Sequence, residues 1–291
     1  MCYHTLMKIN ENIAILIDSA CDIDEKKAKE LNLHVLRMPI VIDGKEYLES
    51  IDINSEELHE MLSNGKFAKT SQVTLGSLVA KYDELLEKYD YIIHIPLSSG
   101  LSGMYQTSMM CIKDPKYKDR IAVVDAKFAC YPIILLCEDV KKLIAQGKTV
   151  FEIKDIIEKE AFMDAIIIPK DINYLKLGGR ISPAAASLAN LLKIVPILLL
   201  KDGKIDVYGK VRTEKRAIET GFEPIVGDKN FDEFNYMVIH DHRMDTALEI
   251  KQKLESIVDK EVIVQDFEPV ILSHTGPGCI AYGRIKKIVN D

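Results

Sequence analysis

Short apolar runs alternate along the chain with amphipathic stretches at helical spacing. Residues 13–17 are continuously apolar, as a strand buried on both faces is. They end at Asp18-Ser19-Ala20-Cys21-Asp22, and a charged helical stretch over 24–31 follows. The pattern predicts a second strand over 35–42, turning at the hairpin dipeptide Asp43-Gly44 and returning through Glu46-Tyr47-Leu48. Asn54 with Glu57 reads as a capping box opening a helix that reaches Leu62 and closes at Gly65. Leu75, Leu78, Val79, Tyr82, Leu85 and Leu86 recur at helical spacing within 74–88. A strand over 91–95 breaks into Ser98-Ser99-Gly100-Leu101-Ser102-Gly103 before a further helix. A strand over 121–124, an apolar helix over 133–144 and an amphipathic helix over 151–162 complete a parallel sheet wound with helices.

Beyond residue 162 the grammar changes. A strand over 165–168 precedes Leu177-Gly178-Gly179-Arg180, and a small-residue helix is expected over 184–192. Strands over 194–200 and 205–208 turn at Lys201-Asp202-Gly203-Lys204, which implies antiparallel pairing. A helix over 213–220, a strand over 236–240, a helix over 246–258 and a strand over 262–266 follow. The expected architecture is α/β in two domains. Residues 9–162 carry a parallel sheet wound with helices, and residues 163–291 form an α/β domain with a mixed or antiparallel sheet. A ligand is expected between them.

Composition narrows the function. The chain has 291 residues and 47% hydrophobic content, which excludes a disordered or fibrous protein. Lys and Arg number 38 against 45 Asp and Glu, a net charge of −7, so the chain lacks the basic surface that nucleic-acid partners demand. No apolar run approaches the ~20 residues of a membrane-spanning helix. Six cysteines without Cys-x-x-Cys spacing read as small buried hydrophobes in a reducing cytoplasm. The first residues carry no signal peptide, and Met7 competes with Met1 as the start.

Three hydroxyl-rich segments stand where strands end or helices begin: Lys69-Thr70-Ser71-Gln72, Ser98 to Gly103, and Ser273-His274-Thr275-Gly276-Pro277-Gly278, the last read as opening the final helix. Hydroxyls, backbone amides and one histidine make a receptor for a phosphate or carboxylate, although each Ser or Thr could equally cap its own helix. Catalytic signatures are missing. Met104 stands where Gly-x-Ser-x-Gly needs its second glycine, and Lys142 where a Walker loop before Gly147-Lys148-Thr149 needs its first. His240-Asp241-His242 has a spacing that could hold a metal but reads as a solvated loop, so no metal or cofactor is expected. The alternative is a hydrolase or transferase with Ser102 as nucleophile and His274 as base.

At these same segments the chain resembles the DegV family, whose better-understood members are the fatty-acid-binding subunits of bacterial fatty acid kinase. The marks are Asp18-Ser19-Ala20-Cys21-Asp22, Thr70-Ser71-Gln72, Leu97 to Gln106, Leu177-Gly178-Gly179-Arg180-Ile181, Val211-Arg212-Thr213 and His274-Thr275-Gly276-Pro277-Gly278. The family usually has hydroxyls where Ala20 and Cys21 stand, Pro at Val73 and Thr at Met104. The losses at 20 and 21 leave open whether the first loop, Ser19-Ala20-Cys21, touches the ligand. The resemblance implies a long-chain fatty acid buried between two domains, without a cofactor. Its carboxylate would be held among Thr70, Ser71, Ser99, Ser102, His274, Thr275 and Arg212, with His274 making binding sensitive to pH near neutrality. Arg180 would face an ATP-binding kinase partner that phosphorylates the carboxylate for phospholipid synthesis. The chain would then be a cytoplasmic, non-catalytic carrier, with a transient contact to the membrane surface left open. Some fourteen methylenes of a sixteen-carbon tail offer roughly 11 kcal/mol at ~0.8 each, less several for association and ordering.

Overall fold

A computed structural model describes residues 12–21 and 23–289. The start at Met1 or Met7, Cys2 and the first residues of the 9–162 segment lie outside the described residues. In chain order the first half runs β1 (Ile13–Asp18), α1 (Glu25–Glu30), β2 (His34–Leu36), β3 (Pro39–Ile42), β4 (Lys45–Leu48), α2 (Ser55–Ser63), β5 (Ala68–Thr70), α3 (Leu75–Leu86), β6 (Tyr91–Ile95), α4 (Met104–Cys111), β7 (Ile121–Val123), α5 (Pro132–Ala145) and α6 (Val150–Glu160). The second half runs β8 (Met163–Ile168), α7 (Asn173–Gly178), α8 (Pro183–Ser187), β9 (Val195–Lys201), β10 (Lys204–Val211), α9 (Glu214–Val226), β11 (Phe234–His240), α10 (Met244–Val258), β12 (Val262–Asp266), α11 (Pro269–Thr275) and β13 (Ile280–Lys286).

A parallel four-stranded sheet, β2-β1-β6-β7, carries the first half, as its buried apolar runs require. The strand expected over 35–42 is two strands in two sheets. Pro39 has no N–H for a ladder, and the amide of Met38 donates to Ser19 Oγ at 2.9 Å, so β3 leaves β2 and joins β4 and β5 antiparallel. The capping box at Asn54 and Glu57 forms with both of its reciprocal bonds.

The second half is a mixed six-stranded sheet, β10-β9-β8-β13-β11-β12, in which only β11 and β12 pair in parallel. Its two faces follow the two-residue period of a strand. Ile166, Ile168, Val238 and Ile280 pack with Phe222 and Ile225 of α9 and with Ile250 and Leu254 of α10. Ala165, Ile167, Met237, Ile239 and Ala281 face the other way and join the core of the first half. The helix expected over 213–220 extends to Val226 past Pro224, because Phe222 and Ile225 are buried against the sheet. The small-residue helix is shorter than expected, ending at Ser187 before a 3-10 turn. Residues 273–278 do not open a helix. Residues 273–275 close α11, and Gly276, at φ +74, turns the chain into β13.

Helix α11 reaches back across the molecule to pack against α2, β3 and β5. The hairpin turn at Asp202 and Gly203, both at positive φ, docks on the loop after β6, where Ser98 Oγ donates to the Gly203 carbonyl at 2.9 Å. These contacts place the inner sheet face over the first half and leave a space between them.

Candidate ligand-binding site

That space is a predominantly apolar cavity, about 900 Å³ with the open solvent at its mouth included. One wall is the inner sheet face, with Met163, Ala165 and Ile167 of β8, Leu200, Ile205, Met237, Ile239, Ala281 and Gly283. The other carries Met38, Leu97, Leu101, Ala129 and Cys130 of the first half, with Phe267, Val270 and Ile271 around the start of α11. Small residues make the room. Ala165 pairs across the ladder with Gly283, and Ala281 with Ile167.

The polar end is built from both halves. Thr70 closes β5, and its Oγ1 lies 2.7 Å from Nε2 of His274 in the last turn of α11. The imidazole Nδ1 is buried with no hydrogen-bond partner, against Gly178 of α7, where an added Cβ would stand 2.5 Å from it. With no acceptor at Nδ1, the proton belongs on Nε2, which donates to Thr70 and leaves the threonine hydroxyl free to donate in turn. Burial, aided by the nearby Arg180 charge, lowers the His274 pKa from 6.5 to about 4. His274 is therefore a neutral donor at neutral pH, which replaces the expected titration near neutrality.

Ser102 lines the cavity two residues before α4, and its Oγ accepts from the Met104 amide at 3.2 Å. Arg180 lines it too. The resemblance sets this side chain near a kinase-facing surface; it is half-buried, donating from Nε to the Leu101 carbonyl at 3.3 Å and from a terminal nitrogen to the Gly178 carbonyl. Gly179, at φ +68, ends α7 and turns the chain so that Arg180 folds back on the mouth. Thr275 lines the wall, but its hydroxyl donates to the Ile271 carbonyl at 3.2 Å.

Three expected residues stand elsewhere. The Ser99 hydroxyl donates to the Asp125 carboxylate, the Ser71 amide donates to the Pro39 carbonyl, and Arg212 is exposed just past β10; none lines the cavity. The first loop is occupied structurally. Asp18 accepts from the amides of Ala20 and Leu97, Ser19 accepts from Met38, and neither these nor Ala20 nor Cys21 reaches the cavity wall. Burial raises Asp18 to about 6. The five described cysteines are buried and none of them forms a disulfide. His240-Asp241-His242 is not a solvated loop, for His240 and Asp241 are each 2% exposed. Sequence reading missed the approach of Gly178 to His274, since paired glycines announce a close contact without saying to what.

The pairing of His274 with Thr70 also bears on the hydrolase alternative. That reading needs His274 on Ser102 and an acid on the other ring nitrogen. Here Nε2 is taken by Thr70 and Nδ1 faces Gly178.

The model of a family described as "Uncharacterised protein, DegV family" matches residues 12–287. The chain belongs to the DegV family. A DegV domain-containing protein of Streptococcus pneumoniae is 34% identical over 286 residues, covering 95% of this chain and 99% of that protein. Another, of Clostridium acetobutylicum, is 31% identical over 275 residues, with 92% and 95% covered. Among solved structures, a fatty-acid-binding DegV family protein of Streptococcus agalactiae superposes with a TM-score of 0.84 at 29% identity, over 95% of this chain and 99% of that one. DegV of Bacillus subtilis, described as a fatty acid binding protein, gives 0.82 at 28%, over 95% and 100%. The α/β architecture, with its parallel four-stranded and mixed six-stranded sheets, is thus the DegV fold. Among the described residues no helix is long and apolar enough to cross a membrane.

Proposed function

We propose that this DegV protein binds a long-chain fatty acid in the cavity between its six-stranded sheet and the first half and presents the carboxylate to an ATP-dependent kinase partner, which converts it to an acyl phosphate. One observation carries the reading. An apolar cavity is lined by two neutral hydroxyl donors, Thr70 and Ser102, with His274 donating to Thr70 and Arg180 among the lining residues. An ionised carboxylate partly removed from water needs such donors, and hydroxyl donors leave more of its lone pairs open to a phosphoryl group than a bidentate arginine would. Solved relatives of the same fold that are described as fatty-acid-binding support the tail site. The chain acts as a cytoplasmic carrier rather than a catalyst and needs no cofactor. Arg180 stands where a kinase must reach the carboxylate, and the exposed Leu177, Leu191 and Leu192 that flank it along the chain supply a transient contact with a membrane surface.

Organic extraction and mass spectrometry of the purified protein test the lipid. About one equivalent of fatty acid is expected. Lipid-free protein that also fails to take up added oleate overturns the reading. Loaded protein that no bacterial fatty acid kinase subunit phosphorylates with ATP overturns the kinase step alone.

A further inference from the structure

Outside the cavity, α2 and the turn between β11 and α10 bring metal-ligating side chains together across the two halves. His59 Nδ1 lies 2.7 Å from Asp241 Oδ2, and the His59 and His242 rings stack with centroids 3.8 Å apart and planes 5° apart. One donor atom from each of the three lies within 4.8 Å of the other two. We propose that His59, Asp241 and His242 form a binding site for a divalent transition metal of the zinc class.

The donor set decides the class. Two imidazoles and one carboxylate suit zinc, cobalt, nickel or copper, whereas magnesium and calcium prefer all-oxygen shells. The remaining ring nitrogens are held in the manner typical of metal-ligating histidines. His59 Nε2 meets Ser63 Oγ at 3.3 Å, and His242 Nε2 meets Glu56 Oε2 at 3.1 Å. Each ring thereby keeps Nδ1 for the ion; because the lone pairs of stacked rings run parallel, the His242 ring turns out of the stack to ligate, and the carboxylate of Glu56, three residues before His59 on α2, orients it. The ion takes the place of the proton shared by His59 and Asp241.

A purely structural ion pair explains less. Asp241 is 2% exposed, and an ion pair between His59 and Asp241 gives no part to His242, which stacks on His59 and is open to solvent. A divalent ion needs both imidazoles neutral and relieves the buried carboxylate at the same time. The site also touches the fold beside the cavity, since Asp241 Oδ2 accepts from the Gly278 amide at 2.8 Å, four residues after His274. An ion here would tie α2 of the first half to the second.

The test uses the untagged full chain, stripped with a chelator and dialysed. Cobalt(II) titration followed by visible absorption, with zinc competition, is expected to show one equivalent bound with ligand-field bands. His242→Ala, at a partly exposed turn that spares the core, should lower affinity by about 10- to 100-fold. His59→Ala should do the same, with thermal melting confirming that each variant is folded; if His59→Ala does not fold, His242→Ala decides alone. The proposal is overturned if the wild type binds no cobalt or zinc. It is equally overturned if His242→Ala binds as the wild type does, because the ion then sits elsewhere.

Discussion

Gly178→Ala perturbs the head-group site without touching any group that meets the ligand. An added Cβ would stand 2.5 Å from His274 Nδ1, and an ordinary contact begins at 3.4 Å, so the ring must retreat by about 0.9 Å. It cannot retreat straight, because Thr70 Oγ1 is 2.7 Å from Nε2 on its far side. The ring must swing, and a swing of that size opens the bond to Thr70. The substitution closes α7 with a residue of better helix propensity, so helix damage does not explain a loss. Losing one oriented donor should cost about 1–2 kcal/mol of binding, or roughly 5- to 30-fold in Kd for oleate. Displacement of a fluorescent fatty acid measures it. The decisive arm is the background His274→Ala. With the imidazole gone the methyl group has nothing to strike, and Gly178→Ala should become nearly neutral. Wild-type affinity in the single variant, or an equal loss in both backgrounds, would refute the reasoning.

Other expectations follow from the same geometry. Ala281→Leu adds bulk to the cavity wall opposite Ile167 and should weaken long acyl chains more than short ones while leaving thermal stability unchanged or raised; equal losses for all chain lengths in a displacement series would count against it. Thr70→Ala and Ser102→Ala should each cost about 1.5–3 kcal/mol of fatty-acid binding, and the double variant less than their sum if, as proposed, both donors serve one carboxylate; a double variant binding at full strength refutes the site. Glu49 is buried against the Val270 amide, and burial raises its pKa from 4.5 to about 8. The folded state thus holds a proton that the unfolded state has lost, so stability should fall as pH rises from 4.5 through 8, by a few kcal/mol at most. Glu49→Gln should flatten that slope in urea midpoints between pH 5.5 and 8, and an unchanged slope would show the assignment to be wrong.

Much of this architecture is legible in the sequence because burial writes itself as periodicity. The doubly buried strands of the first sheet read as continuous apolar runs, and Asn54 with Glu57 announces its helix through a local hydrogen-bond pattern. Legibility fails where a tertiary partner sets the local outcome. Nothing near Met38 shows that its amide will bond Ser19, so the break between β2 and β3 is invisible. β5 has three residues, too few for any period, and it exists because β3 pairs with it. The head-group residues divide along the same line. Thr70, Ser102 and His274 converge, whereas Ser99 is drawn off by Asp125, a residue 26 positions away that no motif connects to it. Arg180 looked exposed because a Gly-Gly-Arg loop has nothing local to pack on; its environment comes from Leu101.

The convergence also explains why the site should bind a carboxylate without an ion pair at its centre. Thr70 and His274 are joined before any ligand arrives, by the docking of α11 on β5, so their ordering entropy is spent in folding rather than in binding. The cost of that arrangement is a histidine whose buried imidazole stays neutral until pH falls to about 4. A neutral donor chain, Nε2–H to Thr70 and the threonine hydroxyl to the ligand, holds a carboxylate by direction rather than by charge. Affinity should then change little between pH 6 and 8, where a protonating histidine would have made it fall. A carboxylate held this way keeps its negative charge and most of its lone pairs, the two properties an in-line phosphoryl acceptor requires. The same neutrality that makes His274 a poor general base therefore suits the proposed role, presenting an acid for another subunit's chemistry.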